Sequence, residues 1–131
     1  MKEILEYLKK NPIFYIATCE GDQPRVRPFG AVTEFEGKLY IVTNNQKKVY
    51  KQMLENPKVE ISAMGKDGTW LRLEGKAIHD ECREARVKML EETPSIQKMY
   101  TADDNLIEVL YLQDATATIY SFNGEPRVIK F

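Results

Sequence analysis

Four cations in two short segments of this chain could together hold an anion. Arg25 and Arg27 stand two positions apart, and because side chains alternate across a strand, both guanidinium groups are expected on one face. Lys47 and Lys48 stand side by side where a strand gives way to a helix. The free N–H groups of a helix start already carry about half a positive charge, so lysines there are unfavourable unless an anion offsets them. A phosphate group suits that place best.

Two polar residues lie beside the lysines and fit the same chemistry. Thr43 and Asn44 add a hydroxyl and an amide at the end of the preceding strand. Arginine offers a planar fork that matches phosphate, and lysine offers a point charge. The alternative is a row of solvated surface cations paired with Glu20, Asp22 and Glu34. The residues alone leave both interpretations open.

Composition sets the class of protein. The chain has 131 residues, which favours a single domain over residues 1–131 with a sizeable core. Apolar residues make up 43% and charged residues 30%, as in ordinary globular proteins. Lys plus Arg number 19 and Asp plus Glu 20, for a net charge of −1. No general basic field exists to attract nucleic acid, so any cationic site must be local.

Location and metal chemistry follow from what the sequence does not contain. The longest apolar runs, at residues 13–17 and 39–42, are too short to span a bilayer, and the N-terminus lacks the pattern of a signal peptide, so a cytoplasmic location is expected. Cys19 and Cys82 have no C-x-x-C companion, which indicates neither a zinc site nor a disulfide framework. The one histidine, His79, is expected at an exposed strand end with no catalytic role.

Strand patterns dominate the chain. Apolar alternation and turn residues predict strands at 13–19, 25–35, 39–43, 58–64 and 70–79, the last bent at Gly75, and two or three more strands after residue 105. Asn123-Gly124 is the best hairpin turn. With six to eight strands and about three helices, a small antiparallel β-barrel is the predicted closure.

Three helices are predicted between the strands. The first ends at Asn11-Pro12, and the third runs over 80–93 with Ala85, Met89 and Leu90 inward. The second begins at Gln46 with Asn45 as its N-cap, and its inner face is predicted to consist of Val49, Tyr50, Met53 and Leu54.

A family resemblance covers nearly the whole chain. The run from "QPRVRPFGAVTEF" through "LYIVTNNQKKVY" and "NPKVEIS", followed by "GTWLRLEGKA" and "TIYSFNGEPRVIKF", resembles the pyridoxamine 5′-phosphate oxidase-like flavin-binding proteins. The resemblance implies a split β-barrel that forms a homodimer and holds flavin mononucleotide (FMN) at the dimer interface.

The resemblance also implies roles for particular residues. Arg27 and Lys47 match the positions that grip the flavin phosphate, with Lys48 as the alternate. The remaining residues that match the cofactor-binding segments are Arg25, Val26, Pro28, Val42, Thr43 and Asn44.

The implied activity is an FMN-dependent oxidoreductase that passes electrons between a small molecule and, for example, NAD(P)H. Pyridoxamine phosphate oxidases end in a further arginine and histidine motif, whereas this sequence ends in "EPRVIKF". It therefore resembles nitroimidazole-resistance-type reductases more than vitamin oxidases. The alternatives are a flavin-binding module without turnover, such as a redox sensor or flavin buffer, and a barrel that serves only as an interaction domain.

Overall fold

The structure, a computed structural model, describes residues 1–131 and contains eight strands and three α-helices. The strands are β1 (Phe14–Glu20), β2 (Gln23–Phe29), β3 (Val32–Phe35), β4 (Lys38–Asn44), β5 (Lys58–Met64), β6 (Thr69–Asp80), β7 (Ile107–Ser121) and β8 (Arg127–Lys130). The helices are α1 (Lys2–Lys10), α2 (Lys48–Glu55) and α3 (Arg83–Glu92), and a short 3₁₀ turn covers Pro94–Ile96. The predicted mainly-β architecture is confirmed. No helix is long and apolar enough to cross a membrane.

The sheet closes on itself. Its strands pair antiparallel in the order β2-β1-β5-β6-β7-β4-β3, so β2 and β3 lie at opposite ends of the path. Only Gly30 and Ala31 separate these two strands in the chain, which brings the two edges together. The sheet divides along β7, which pairs with β4 over its first part and with β8 over its last. This is a split β-barrel.

The segment from Arg25 to Phe35 is two strands rather than the single one predicted. The first part, β2, pairs with β1, and the second, β3, pairs with β4. The break falls at Gly30-Ala31, next to Pro28, where a glycine and a proline weaken the ladder. The consequence for the site is direct, because β2 carries the two arginines while β3 leads through its hairpin into the strand that ends before the lysines.

The bend predicted in β6 at Gly75 is confirmed. The register of β6 against β7 shifts between Glu74 and Lys76. A Cβ at Gly75 would lie 3.2 Å from the carbonyl oxygen of Gln113, a tight contact that glycine avoids.

The barrel interior is an apolar core that includes one face of α1 and of α2. In α2 the buried residues are Val49, Gln52 and Met53. The predicted inner-face residue Leu54 is 51% exposed, because positions 49, 52 and 53 form the narrow i, i+3, i+4 stripe and Leu54 lies beyond it. A polar residue, Gln52, takes the place that the prediction gave to an apolar one.

The third helix covers the outside of the barrel. Ala85 and Met89 are fully buried in a second, smaller cluster with Tyr40 and Val109. The predicted start at Asp80 is wrong, because β6 continues through Asp80 and α3 begins at Arg83. The Asp80 side chain instead accepts a hydrogen bond from the Tyr40 hydroxyl at 2.7 Å, which fixes the end of the strand.

Candidate functional site: a cationic cavity at the start of α2

The two arginines of β2 lie on the face that turns toward α2. Arg25 lies opposite Thr18 in β1 and Arg27 opposite Ile16, so the two side chains share the inner face, as the alternation predicted. Arg27 is half-buried, and its guanidinium is held by the chain itself. Its Nη1 donates to the Ile16 carbonyl oxygen at 3.2 Å and to Thr18 Oγ1 at 2.8 Å.

The second guanidinium nitrogen of Arg27 reaches α2. Its Nη2 donates to Gln52 Oε1 at 2.6 Å. Burial, and then the positive charge of Arg25, lower the pKa of Arg27 from its ordinary value, which for a guanidinium still leaves a full cation at neutral pH. The site therefore holds a fixed cation at the barrel edge.

The lysines stand at the start of α2, and this helix begins two residues later than predicted. Lys47 is the N-cap residue and Lys48 the first helical residue, so Asn45 is not the N-cap. Asn44 turns the chain instead: its side-chain oxygen accepts the Gln46 N–H at 3.0 Å, and its carbonyl accepts the Lys47 N–H at 3.2 Å. No side chain caps α2 and its first turn contains no acidic residue, so an anion there would meet no competing carboxylate of the helix.

Two adjoining cavities bring the predicted residues together. The first, of about 260 Å³, lies between the end of β4, the start of α2 and the segment 93–100, and the second, of about 430 Å³, lies on the β2 side of α2. Arg27 and Lys47 line both of them. The first is also lined by Pro28, Val42, Thr43 and Asn44, and the second by Arg25, Val26 and Lys48. Every residue predicted for the site thus lines one cavity or the other.

One buried hydroxyl in the first cavity has no partner. Thr43 is only 7% exposed, and its Oγ1 makes no hydrogen bond. A buried polar group without a partner costs about 1–3 kcal/mol. Thr43 lines the first cavity, but its Oγ1 atom is shielded from solvent.

One carboxylate accompanies the four cations. Arg25 donates to Glu20 Oε1 from both Nε (3.2 Å) and Nη2 (2.9 Å), and Glu20 lines the second cavity. The pKa of Glu20 lies below its ordinary value because Arg25 donates hydrogen bonds to it and adds positive charge. One of the surface ion pairs of the alternative interpretation is therefore present, yet three cations remain without a carboxylate partner at the cavities: Arg27, Lys47 and Lys48.

The wall opposite β2 comes from a segment for which no helix or strand was predicted. The 3₁₀ turn and the residues after it bring Ser95, Ile96, Met99 and Tyr100 to the first cavity. Two other tyrosines of the C-terminal part pack elsewhere: Tyr111 against Tyr40, and Tyr120 against Trp70. The proline after Thr93 was the only sequence signal of this wall.

His79 is not the exposed strand end that was expected. Its Nε2 lies 3.0 Å from Glu108 Oε1, its side chain is largely buried, and its ring meets that of Tyr50 edge-on. Glu108 lies across the sheet on β7, and a pairing at that range is invisible in the sequence. His79 lines neither cavity.

The fold is the split β-barrel, and the comparisons with known proteins place it. The sequence profile described as pyridoxamine 5′-phosphate oxidase matches residues 1–109. The chain belongs to this family. Among curated proteins, none matches the chain significantly.

Solved structures agree with this assignment. A NimC/NimA family protein from Clostridium acetobutylicum is 55% identical, with a TM-score of 0.97 over 100% of this chain and 92% of the other. General stress protein 26 from Bacillus anthracis is 19% identical, with a TM-score of 0.77 over 99% and 97%. A pyridoxamine 5′-phosphate oxidase-related, FMN-binding protein from Nostoc punctiforme is 14% identical, with a TM-score of 0.67 over 99% and 95%. The last two similarities establish the fold alone.

Proposed function

We propose that the protein binds FMN and acts as an oxidoreductase, passing electrons through the flavin to or from a small molecule. The observation that carries the proposal is the pair of adjoining cavities that share Arg27 and Lys47, the second of which is also lined by Arg25 and Lys48. Membership of the pyridoxamine 5′-phosphate oxidase family and the FMN-binding name of the Nostoc relative support it.

The cationic part fits a phosphate monoester. Arg27 offers a planar fork, and Lys47 and Lys48 add point charges at a helix start whose N–H groups favour an anion. Arg25 contributes a further charge, although Glu20 shares it. A dianion placed among these groups would offset the cation repulsion that the lysines create.

The first cavity fits the remainder of the flavin. Pro28 and Val42 give it apolar surface, whereas Asn44 adds an amide beside the polar chain that would lie between phosphate and ring. FMN would supply the electron-transfer chemistry, and the protein would bind it, orient it and exclude water. A catalytic acid or base is not required for that role.

The proposal includes a homodimer, and the outer face of the sheet is the surface that we assign to it. The cross-strand pairs Tyr15↔Ser62, Met64↔Trp70 and Trp70↔Tyr120 place these side chains on one face. Met64 is 73% exposed and Phe122, which packs on Trp70, is 86% exposed. Exposed aromatic and methionine side chains in one patch are typical of protein interfaces.

This face is continuous with the flavin site. Val26, which is 67% exposed, projects from β2 to the outer face while its neighbours Arg25 and Arg27 turn inward. A second copy packed on that face would lie directly beside the cationic cavity. In a two-fold symmetric dimer both copies bury the same patch, so each copy would contribute its outer sheet face to the contact.

The redox partners are proposed by class. Because the Clostridium relative carries the NimC/NimA name, a nitroaromatic compound is the first electron acceptor to test, with NADH or NADPH as donor. The cytoplasmic location expected from the sequence stays a prediction.

The deciding experiment is a flavin titration followed by a turnover assay. Purified protein is titrated with FMN and with riboflavin, which lacks the phosphate, while absorbance and flavin fluorescence are followed. A strong preference for FMN supports the cationic site, and equal binding or no binding of both flavins contradicts it. Reduction of the bound flavin by NADH or NADPH and its reoxidation by a nitroaromatic acceptor support the oxidoreductase. FMN binding without reduction by a broad panel of donors would instead identify a flavin-binding module without turnover.

A further inference from the structure

The buried glutamine of α2 is a polar side chain in a place that helical periodicity gives to an apolar one. Gln52 is 5% exposed and lies between Val49 and Met53 on the inner face of the helix. A buried amide is unfavourable unless its donors and acceptors find partners. Its partners therefore show what the residue does.

Gln52 Oε1 accepts two short hydrogen bonds. One comes from Arg27 Nη2 at 2.6 Å and the other from the Thr18 hydroxyl at 2.6 Å. The Thr18 oxygen in turn accepts from Arg27 Nη1 at 2.8 Å, which closes a triangle of three residues. Because arginine only donates, the amide oxygen must face it, and the Thr18 hydrogen must point at the glutamine. The hydrogen bonds can run in only this direction.

The other end of the amide extends the network to the second arginine. Gln52 Nε2 donates to Glu20 Oε2 at 3.3 Å, and the other oxygen of Glu20 accepts from Arg25. One side chain thus connects both arginines of β2.

The triangle occupies one edge of the Arg27 guanidinium and leaves another free. Nη1 donates its two hydrogens to Ile16 and Thr18, and Nη2 donates one to Gln52. Nε–H and the second hydrogen of Nη2 donate to no group of the chain. These two donors form a parallel pair, the arrangement that binds a phosphate through two hydrogen bonds. The edge is fixed before any ligand arrives, so little rotamer entropy is lost on binding.

We propose that Gln52 is a positioning residue of the anion site: together with Thr18 it holds Arg27 so that the free edge faces a phosphate monoester. The inference rests on the proposed function, since it assigns the means by which that site selects a phosphate-bearing flavin. It predicts that Gln52, which lines the second cavity, controls discrimination between FMN and riboflavin through its hydrogen bond with Arg27.

The test uses two pairs of variants, with FMN and riboflavin titrated into each full-length protein. Gln52→Met keeps the length and burial of the side chain but removes the acceptor. Thr18→Val removes the hydroxyl at constant shape, and Thr18→Ser retains it. We expect Gln52→Met and Thr18→Val each to weaken FMN binding about tenfold, because each removes the acceptor of a hydrogen bond that the charged guanidinium of Arg27 donates. Riboflavin binding should change less than about twofold, and Thr18→Ser should resemble the parent.

A double-mutant cycle separates positioning from general stability. Combined with Arg27→Ala, the Gln52→Met change should have no further effect on FMN affinity, because both act through the same guanidinium. If Gln52→Met and Thr18→Val weaken both flavins equally, or if the Gln52→Met effect persists without Arg27, the positioning role is wrong. If Arg27→Ala itself leaves FMN binding unchanged, the proposed anion site fails and the inference about Gln52 fails with it, whereas a loss with Arg27→Ala but not with Gln52→Met overturns the inference alone.

Discussion

The side-chain amide of Asn44 donates a hydrogen bond to the hydroxyl of Tyr100 at 2.6 Å, which joins the end of β4 to the wall opposite it. Tyr100 is anchored in its own segment by a hydrogen bond from its N–H to the Ile96 carbonyl at 3.0 Å. The same Asn44 side chain turns the chain toward Lys47. One residue therefore couples the wall of the first cavity to the turn that positions the lysines.

Removal of the Tyr100 hydroxyl should lower the stability of the protein and weaken flavin binding. Tyr100→Phe leaves the Asn44 amide without this acceptor, and we expect a loss of about 0.5–1.5 kcal/mol in the free energy of unfolding, measured by urea denaturation. FMN and riboflavin should weaken by similar factors, since the contact lies away from the phosphate. Tyr120→Phe is the matched control, because the Tyr120 ring stacks on Trp70 and donates no hydrogen bond. An unchanged Tyr100→Phe protein would mean that the hydrogen bond does not hold the wall.

The phosphate contact predicts a second effect, confined to FMN. Lys47→Ala should weaken FMN binding by about 1.5–3 kcal/mol, the scale of a hydrogen bond to a charged group, and should leave riboflavin binding nearly unchanged. Calorimetric titration measures both. The Lys47 side chain makes no hydrogen bond or ion pair within the chain, so stability should not change.

Two neighbouring lysines serve as controls for that prediction. Lys51 lies on the exposed side of the same helix and lines neither cavity, so Lys51→Ala should bind FMN as the parent does. Lys48 lines only the second cavity, and a loss with Lys48→Ala but not with Lys47→Ala would move the phosphate contact by one residue. If both Lys47→Ala and Lys48→Ala bind FMN as the parent does, the two lysines are solvated surface residues and not phosphate ligands.

Local patterns predicted most of the elements, because period-two alternation and turn residues act over a few positions. The bend at Gly75 and the end of α1 at Asn11 are of this kind. The convergence of Arg27 with Lys47 also followed, since β2, the β3–β4 hairpin and α2 are consecutive in the chain.

What the sequence could not predict depends on contacts between distant positions. Gln52 looks like a surface residue until Arg27 and Thr18 are placed beside it. His79 looks exposed until β7 brings Glu108 to it. Each polar group is buried because of a partner 25 or more positions away, and no periodicity encodes that partner.

Acid should weaken the contacts that join α1, α3 and β3. Glu92, on α3, accepts a hydrogen bond from Thr33 Oγ1 and pairs with Lys9 of α1 at 3.1 Å and with Lys88 at 3.4 Å. These contacts, the Thr33 hydrogen bond foremost, hold the pKa of Glu92 below its ordinary value of 4.5. A carboxyl whose pKa is lower in the folded state stabilises the fold above its unfolded pKa and loses that contribution as the pH falls through the folded pKa.

The Glu92→Gln variant isolates this contribution. It keeps an acceptor for Thr33 but removes the charge, so we expect it to be about 0.2–1 kcal/mol less stable than the parent near pH 7. Denaturant unfolding from pH 7 to pH 3 should show the two proteins converging below about pH 4.5. A difference that stays constant over this range would show that the charge of Glu92 contributes nothing.

The outer face of the sheet gives the last prediction, which links assembly to the flavin. If a second copy covers this face, Met64→Glu should place a carboxylate in an apolar contact and convert a dimer to a monomer in light scattering. Leu54→Glu is the control, since Leu54 is also exposed but lies on α2, away from that face. Because Val26 lies on the same face and β2 carries Arg27, the monomeric variant should also bind FMN more weakly than the parent. A parent that is monomeric at micromolar concentration, or a Met64→Glu protein that remains dimeric, would show that the assigned face is not the dimer contact.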